Sequence, residues 1–435
     1  MVRTLFHRSV TAAVAAAGLL FFLQAAVLRA EHRSTVELDL YSSAARAGGD
    51  SWVGMGAGIA SYRLQQTENP NVRSLLEISA LFTPTPSGGP DASFDVEKAY
   101  AKFRFADMRG TIGKAPFSWG EGLIFNVADS MFSRGTGADL MQSEFEDAAA
   151  WLTGLSWYFG PFSFVEFIAI PAPLEAIVGD SSESEVTAGY GLPALEDYRA
   201  GIRWIAKPMG IKTELGYLFD GRDGTGPDDS SAAGSEGGSL QGDSAAFQEG
   251  AFYHRPYFSL QGNIGIDWHL SASLELPDRG AIFAGAWEGF LISSGLYSLI
   301  PVGYDDSLGF RVETLTRPAG EWEERHIEDE SGGTASPASY GLYSYGEVSY
   351  DFGTGFSLAL RSLISPIDLS AKISPGLSWN IFQGFTLLGY ASFQTGDGGD
   401  TYPWDPPATE ATSTSGGISA GSSGASVMIG CNVIY

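Results

Sequence analysis

The segment from Glu97 to Phe105 places Lys98, Tyr100, Lys102 and Arg104 at every second position, with Ala99, Ala101, Phe103 and Phe105 between them. Alternate side chains of an extended chain point to opposite faces, so this spacing builds a basic ladder with an apolar back. Arg109 follows across a tight turn. A ladder of this kind can attract anions at a constriction. Further along, Arg199, Arg203, Lys212, Arg311, Arg361 and Lys372 fall on inferred inward positions, interleaved with Glu37, Asp39, Glu77, Glu214, Asp267, Glu275, Glu313 and Glu347. Opposite charges on neighbouring strands pair and keep an interior wet without selecting a solute, so selection and plain pairing are both open from the sequence.

A second group is Trp119, Glu121, Asn126 and Asp129, in the stretch that follows Gly113-Lys114-Ala115-Pro116-Phe117. Folded inward, this stretch would narrow a lumen and bring those four side chains to the solute path; folded outward, it is an ordinary surface loop. Enzyme chemistry finds little support: H-E-x-x-H and the P-loop are absent, and His269 has no sequence-evident partner. The acids Asp220, Asp223, Asp228 and Asp229, and the pair Asp397 and Asp400, fit no EF-hand spacing and read as solvated loops. No catalytic residue, cofactor or metal is expected.

The elements that must position these groups repeat along the chain. Segments of about ten residues alternate with period two and close on a turn. From Ile264 to Leu276 the apolar set is Ile264, Ile266, Trp268, Leu270, Ala272, Leu274 and Leu276. Short turns at Ala106-Asp107, Gly160-Pro161, Lys207-Pro208, Gly262-Asn263, Gly353-Thr354 and Gln383-Gly384 alternate with long polar stretches at 118–149, 171–195, 221–249, 317–338 and 395–417. The expected fold is all-β: a transmembrane antiparallel up-and-down barrel of about eighteen strands, with sixteen as the alternative. Short turns would face the periplasm and long loops the exterior. The count includes strands at 281–292 and 307–316, and the segments at 162–170 and 281–316 alternate least cleanly. Trp151, Trp157, Trp204, Trp268, Trp287 and Trp379 fall on the outward face as an interfacial girdle requires.

Composition agrees. The 435 residues include 56 Gly, 27 Phe, 18 Tyr and 10 Trp, with 17% charged residues, and the mean hydropathy is +0.00. A net charge of -26 repels nucleic acid. Residues 1–30 read as a secretory signal peptide cleaved near Ala30 or after Ala26, with an uncleaved anchor as the alternative; residues 31–435 then form one barrel domain. Cys431 is the single cysteine, which excludes an internal disulfide and a lipid anchor at the cleavage site.

From Ala425 to Tyr435 the odd positions are apolar, and Gly430, Val433 and Tyr435 resemble the C-terminal signal of outer-membrane barrels, with Met428 departing from it. That resemblance implies recognition by the barrel-assembly machinery. The strand E-K-A-Y-A-K-F-R-F, the following Ile112-Gly113-Lys114 and the Trp119-Gly120 loop resemble, over about forty residues, a hairpin of porin-like families including alginate-export-type eighteen-strand channels. The resemblance implies a channel in the cell outer membrane, in contact with its lipid, passing small hydrophilic solutes, anions among them. The alternative is a non-conducting surface barrel, adhesive or structural, with acidic loops.

Overall fold

The computed structural model describes residues 32–47, 51–67, 69–84, 90–128, 149–171, 198–221, 253–277, 286–324, 340–396, 401–402 and 425–434. The first strands are β1 (His32–Ala47), β2 (Ser51–Gln66), β3 (Val72–Pro84), β4 (Pro90–Phe105), β5 (Met108–Pro116) and β6 (Ala149–Gly160). Next come β7 (Ser163–Ile170), β8 (Arg199–Ala206), β9 (Lys212–Asp220), β10 (Tyr253–Asn263), β11 (Asp267–Leu274) and its continuation β12 (Leu276–Pro277). The chain finishes with β13 (Phe290–Val302), β14 (Asp306–Thr316), β15 (Leu342–Asp351), β16 (Phe356–Ser365), β17 (Ser370–Phe382), β18 (Phe385–Gln394) and β19 (Ala425–Ile434). Because β11 and β12 are one strand interrupted at Glu275, the wall has eighteen strands.

Each strand pairs antiparallel with its sequence neighbours, and β19 returns to pair with β1 from Glu37↔Ile434 to Ala45↔Ser426. Closure leaves no free sheet edge, which satisfies the backbone of every strand without water. The pleat does the rest. Val36, Leu38 and Leu40 point out from β1 and are 46%, 38% and 47% exposed, whereas Glu37 and Asp39 lie between them on the inner face. Trp157, Trp204, Trp268 and Trp379 all lie within a few residues of the short turns, and Trp151 lies toward the opposite end of its strand. Apolar side chains turned outward between two aromatic levels suit a bilayer.

The short connections at 67–71, 106–107, 161–162, 207–211, 264–266, 303–305, 352–355 and 383–384 all fall at one end of the barrel. The turn at 303–305 corrects the expectation of a strand at 281–292. The strand there is β13, about nine residues later. Its inner and outer faces both carry apolar residues, and Gly303-Tyr304-Asp305 is too short and aromatic to announce itself as a polar turn. The turn expected at Gly262-Asn263 lies at 264–266, since β10 runs to Asn263. The eighteen-strand count survives both shifts.

At the closing seam the Asn432 amide donates to Glu37 at 2.5 Å and to Asp39 at 2.7 Å. One neutral amide thereby bridges two carboxylates that would otherwise face each other. Asn432→Leu removes both bonds, and the expected loss is about 1–3 kcal/mol. The folded form should then convert to the unfolded form at a lower temperature on a semi-native gel; an unchanged conversion temperature would show that the seam does not depend on this bridge.

Candidate lumenal constriction

Residues 117–128 leave the end of β5 and turn into the barrel as a strap. Trp119 is fully buried and packs with Ala115, Ala128, Leu152, Ile168, Ile170, Leu218 and Tyr257. Two glycines make room for it. A Cβ on Gly201 would lie 2.6 Å from the Trp119 ring, and one on Gly216 would lie 2.1 Å from the Tyr257 ring. The sequence puts glycine at both positions because flat aromatics must lie directly on the strand there.

The polar edge of this cluster is held by two wall carboxylates. The Trp119 indole N–H donates to Glu166 Oε2 at 3.1 Å, and Arg203 Nε donates to the same oxygen at 2.7 Å. The Ser156 hydroxyl donates to the other Glu166 oxygen at 2.8 Å. Glu214 Oε1 accepts the Gly120 N–H at 3.0 Å, Arg203 Nη1 at 3.0 Å and the Tyr257 hydroxyl. Lys212 joins Glu214, at 3.7 Å, to Glu121 of the strap. The Arg203 guanidinium also lies over the Trp119 ring, 5.2 Å from its centroid. Burying charges is costly unless they are paired, and here Arg203 pairs with both Glu166 and Glu214.

A third carboxylate takes the far end. Glu313 accepts the backbone N–H of Leu123 at 2.9 Å, of Ile124 at 3.0 Å and of Phe125 at 3.2 Å. Consecutive N–H groups turned to one point form an anion-binding nest, made possible by Gly122 at φ +121°. Ile124, Phe125 and Val127 then pack on Leu315, Tyr340, Tyr343, Tyr345 and Leu363. Asn126 ties the strap to itself: its amide donates to the Trp119 carbonyl at 2.8 Å, and its Oδ1 accepts the Ala128 N–H at 3.3 Å. Trp119, Glu121 and Asn126 thus lie in a segment that contacts the inner wall. Asp129 lies outside the described residues.

The basic ladder is divided by its partners. Lys98 pairs with Glu77 at 3.4 Å, and Arg63 pairs with the same carboxylate at 2.9 Å. Arg199 pairs with Asp220 at 2.9 Å, which Arg255 also approaches at 3.7 Å. Lys102, in contrast, lies over the Tyr100 ring, and Arg109 over the Tyr158 ring at 4.3 Å. Arg104 and Arg109 are register partners, as are Arg73 and Lys102. These four cations gather at the short-turn end, where Arg104, Arg109, Tyr158 and Asp107 line a cavity of about 450 Å³.

Closure, a lipid-suited outer face and a paired, polar inner face decide the architecture. The chain has the fold of an outer-membrane β-barrel. No protein-family model and no curated protein matches the sequence. Among solved structures it is similar to OccAB4 of Acinetobacter baumannii, at 10% identity and TM-score 0.49 over 93% of this chain and 98% of that one. It is also similar to OpdL of Pseudomonas aeruginosa, at 10% identity and TM-score 0.48 over 93% and 99%. A third is Salmonella typhi OmpF in complex with daunomycin, at 8% identity and TM-score 0.43 over 93% and 98%.

In the barrel, Gly430 and Val433 lie on β19, with Gly430 against the Tyr41 ring; Tyr435 lies outside the described residues. Residues the sequence did not single out include Glu166, Tyr257, Arg255, Arg73, Arg63 and Asn432. Glu166 alternates with Phe164, Ile168 and Ile170 on an inner face that is apolar because the strap covers it, so period two is masked in β7. Among the described residues no group of three or more His, Cys, Asp or Glu side chains converges on a metal site. A G-x-S-x-G spacing at 417–421 lies outside the described residues, in a Gly- and Ser-rich stretch.

At the end opposite the short turns, Asp368 in the turn between β16 and β17 accepts the Thr401 N–H and hydroxyl, both at 2.8 Å, and the Ser370 N–H at 3.1 Å. Burial alone would raise this carboxyl, but the Thr401 and Ser370 bonds hold it below its ordinary value. A depressed carboxylate stabilises its contacts above the unfolded-state value and loses them as pH falls through the folded value. The Thr401 amide should therefore stay protected from hydrogen exchange down to a pH below 3.8, the ordinary Asp value, and lose protection beneath that. Early loss, near pH 5, would contradict it.

For the strap, Glu313→Gln removes the charge that three amides share and should cost about 1.5–3 kcal/mol of local stability. Trp119→Ala, which empties a packed site, should cost about 3–5 kcal/mol. Proteolytic nicking of residues 117–128 in the folded barrel measures both; equal resistance to wild type would remove the anchoring role.

Proposed function

We propose that this barrel is a channel through which small hydrophilic solutes, anions among them, diffuse across an outer membrane, and that residues 117–128 set its bore. The observation that carries the proposal is the strap itself: an internal segment held by charged wall residues, beside inner faces of β1, β2, β17 and β19 whose Asp39, Ser61, Arg63, Ser378, Asn380 and Asn432 are only partly covered. Uneven wet polar walls around a fixed segment are suited to passive permeation.

A preference for anions would rest on Lys102, Arg104 and Arg109, with Arg73 beside them, and less on Lys98, Arg199 and Arg203, whose charge is already met by carboxylates. A surface barrel with a filled lumen is the second reading. It is favoured by Tyr402, which a bend of the β18–β19 connection lays against the same aromatic cluster as the strap.

Planar bilayers distinguish the two. Discrete conductance steps are expected from the purified barrel, with larger steps after deletion of 118–149. In a KCl gradient the triple change Lys102→Glu, Arg104→Glu and Arg109→Glu should move the reversal potential toward cation preference. Absence of steps in both the intact and the deleted barrel would sink the channel, and an unmoved reversal potential would sink the anion preference.

A further inference from the structure

We infer that the short-turn end of the barrel holds a binding site for a small phosphomonoester, with Arg104 and Arg109 taking the phosphate and Asp107 taking a hydroxyl of the body that carries it. The inference names an anion that the channel reading leaves open, and it rests on that reading for its use in transport. The site itself stands on the cavity at this end of the wall.

Local backbone geometry sets the arginine pair. The β4–β5 hairpin closes in two residues, with Phe105↔Met108 and Arg104↔Arg109 as its last register pairs. Ala106 permits so tight a turn by taking φ 50°, a conformation that residues other than glycine rarely adopt. Residues directly opposite on antiparallel strands lie about 4.5–5.5 Å apart at Cα, and like charges placed there repel. Elsewhere the wall sets acids against its cations: Arg203 pairs with Glu166 and Glu214, and Arg361 with Glu347. Arg104 and Arg109 are exposed and have no carboxylate within ion-pair reach among the described residues. Arg73 and Lys102, a register pair across β3 and β4, add two more exposed cations beside them.

Shape and charge then select the anion. Arg104, Asp107, Arg109 and Tyr158 line one cavity of about 450 Å³, a volume in the range of small-molecule sites. The Arg109 guanidinium lies 4.3 Å from the Tyr158 ring centroid, and Tyr158 stacks on Phe164 at 4.8 Å, so one of the two forks rests on an aromatic stack. A carboxylate would bring one charge and two oxygens to the pair. A phosphomonoester brings close to two charges and three oxygens on one atom, enough for both forks at once. Asp107 repels further negative charge on the rest of the ligand and accepts a hydroxyl instead. The turn holds Asp107 in place, its carbonyl accepting the Tyr158 N–H at 2.8 Å. A phosphate ester of a polyhydroxylated body, a sugar phosphate in chemical class, satisfies all three groups.

Isothermal titration of the folded, detergent-purified barrel with glucose-6-phosphate tests this, beside glucose, glucose-6-sulfate, acetate and inorganic phosphate. Glucose-6-phosphate should bind most tightly. The sulfate ester, similar in shape but singly charged, should bind more weakly by on the order of tenfold, and glucose and acetate more weakly still. Arg104→Ala and Arg109→Ala should each weaken glucose-6-phosphate by on the order of tenfold. Arg104→Lys should recover only part of that loss, since lysine keeps the charge without the fork. Asp107→Ala should narrow the preference for the ester over inorganic phosphate. Only protein that runs as the folded form is scored. Equal affinity for the two esters, full affinity in both arginine variants, or no binding at all overturns the site. Selective binding by a barrel that passes no current leaves the site standing and removes the channel. A reversal potential that moves in the triple glutamate variant, without ester binding, keeps the anion preference and removes the site.

Discussion

The interior of this barrel depends on how wall carboxylates satisfy the backbone of residues 117–128. An unpaired buried N–H costs about 1–3 kcal/mol, and the strap brings the amides of Gly120, Leu123, Ile124 and Phe125 into the lumen together. Glu214 and Glu313 accept all four. The same acids would be liabilities in a bare wall, so strap and wall stabilise each other. Arg203 completes the arrangement by neutralising Glu166 and Glu214 while lying over Trp119.

This reciprocity explains where the wall departs from the usual barrel pattern. Strands that meet only lipid and water alternate apolar with polar residues. β7, β9 and β14 to β16 meet the strap inside, so Ile168, Ile170, Leu218, Leu315 and Leu363 appear on their inner faces away from the short turns. Their alternation fades where the strap begins. Toward the short turns the same strands return to paired charge, as with Glu347 and Arg361 at 3.0 Å. The lumen is thus graded along its axis: apolar where it meets the strap, ionic toward the short-turn end.

Charge is graded too. Most inner cations described have a carboxylate within reach, whereas Arg73, Lys102, Arg104 and Arg109 are drawn together by strand register and lie over aromatic rings or face solvent. In a chain of net charge -26 this cluster is the exception, and it arises because β3, β4 and β5 are adjacent, while their cations are spread over 36 residues of sequence.

The sequence by itself determined the barrel. Period-two alternation, turn spacing and the parity of the ends follow from local backbone geometry, and the eighteen-strand count withstood the nine-residue misplacement of β13 because parity constrains the number more tightly than the boundaries. It also marked Trp119, Glu121 and Asn126 and the ladder from Lys98 to Arg109. Only the tertiary structure decided which of these act together. Whether 117–128 turns inward depends on Glu166, Glu214 and Glu313, which lie 47, 94 and about 190 residues from their partners in the strap. No local pattern encodes such pairings, and the two glycines that admit the aromatic rings look, in sequence, like any others.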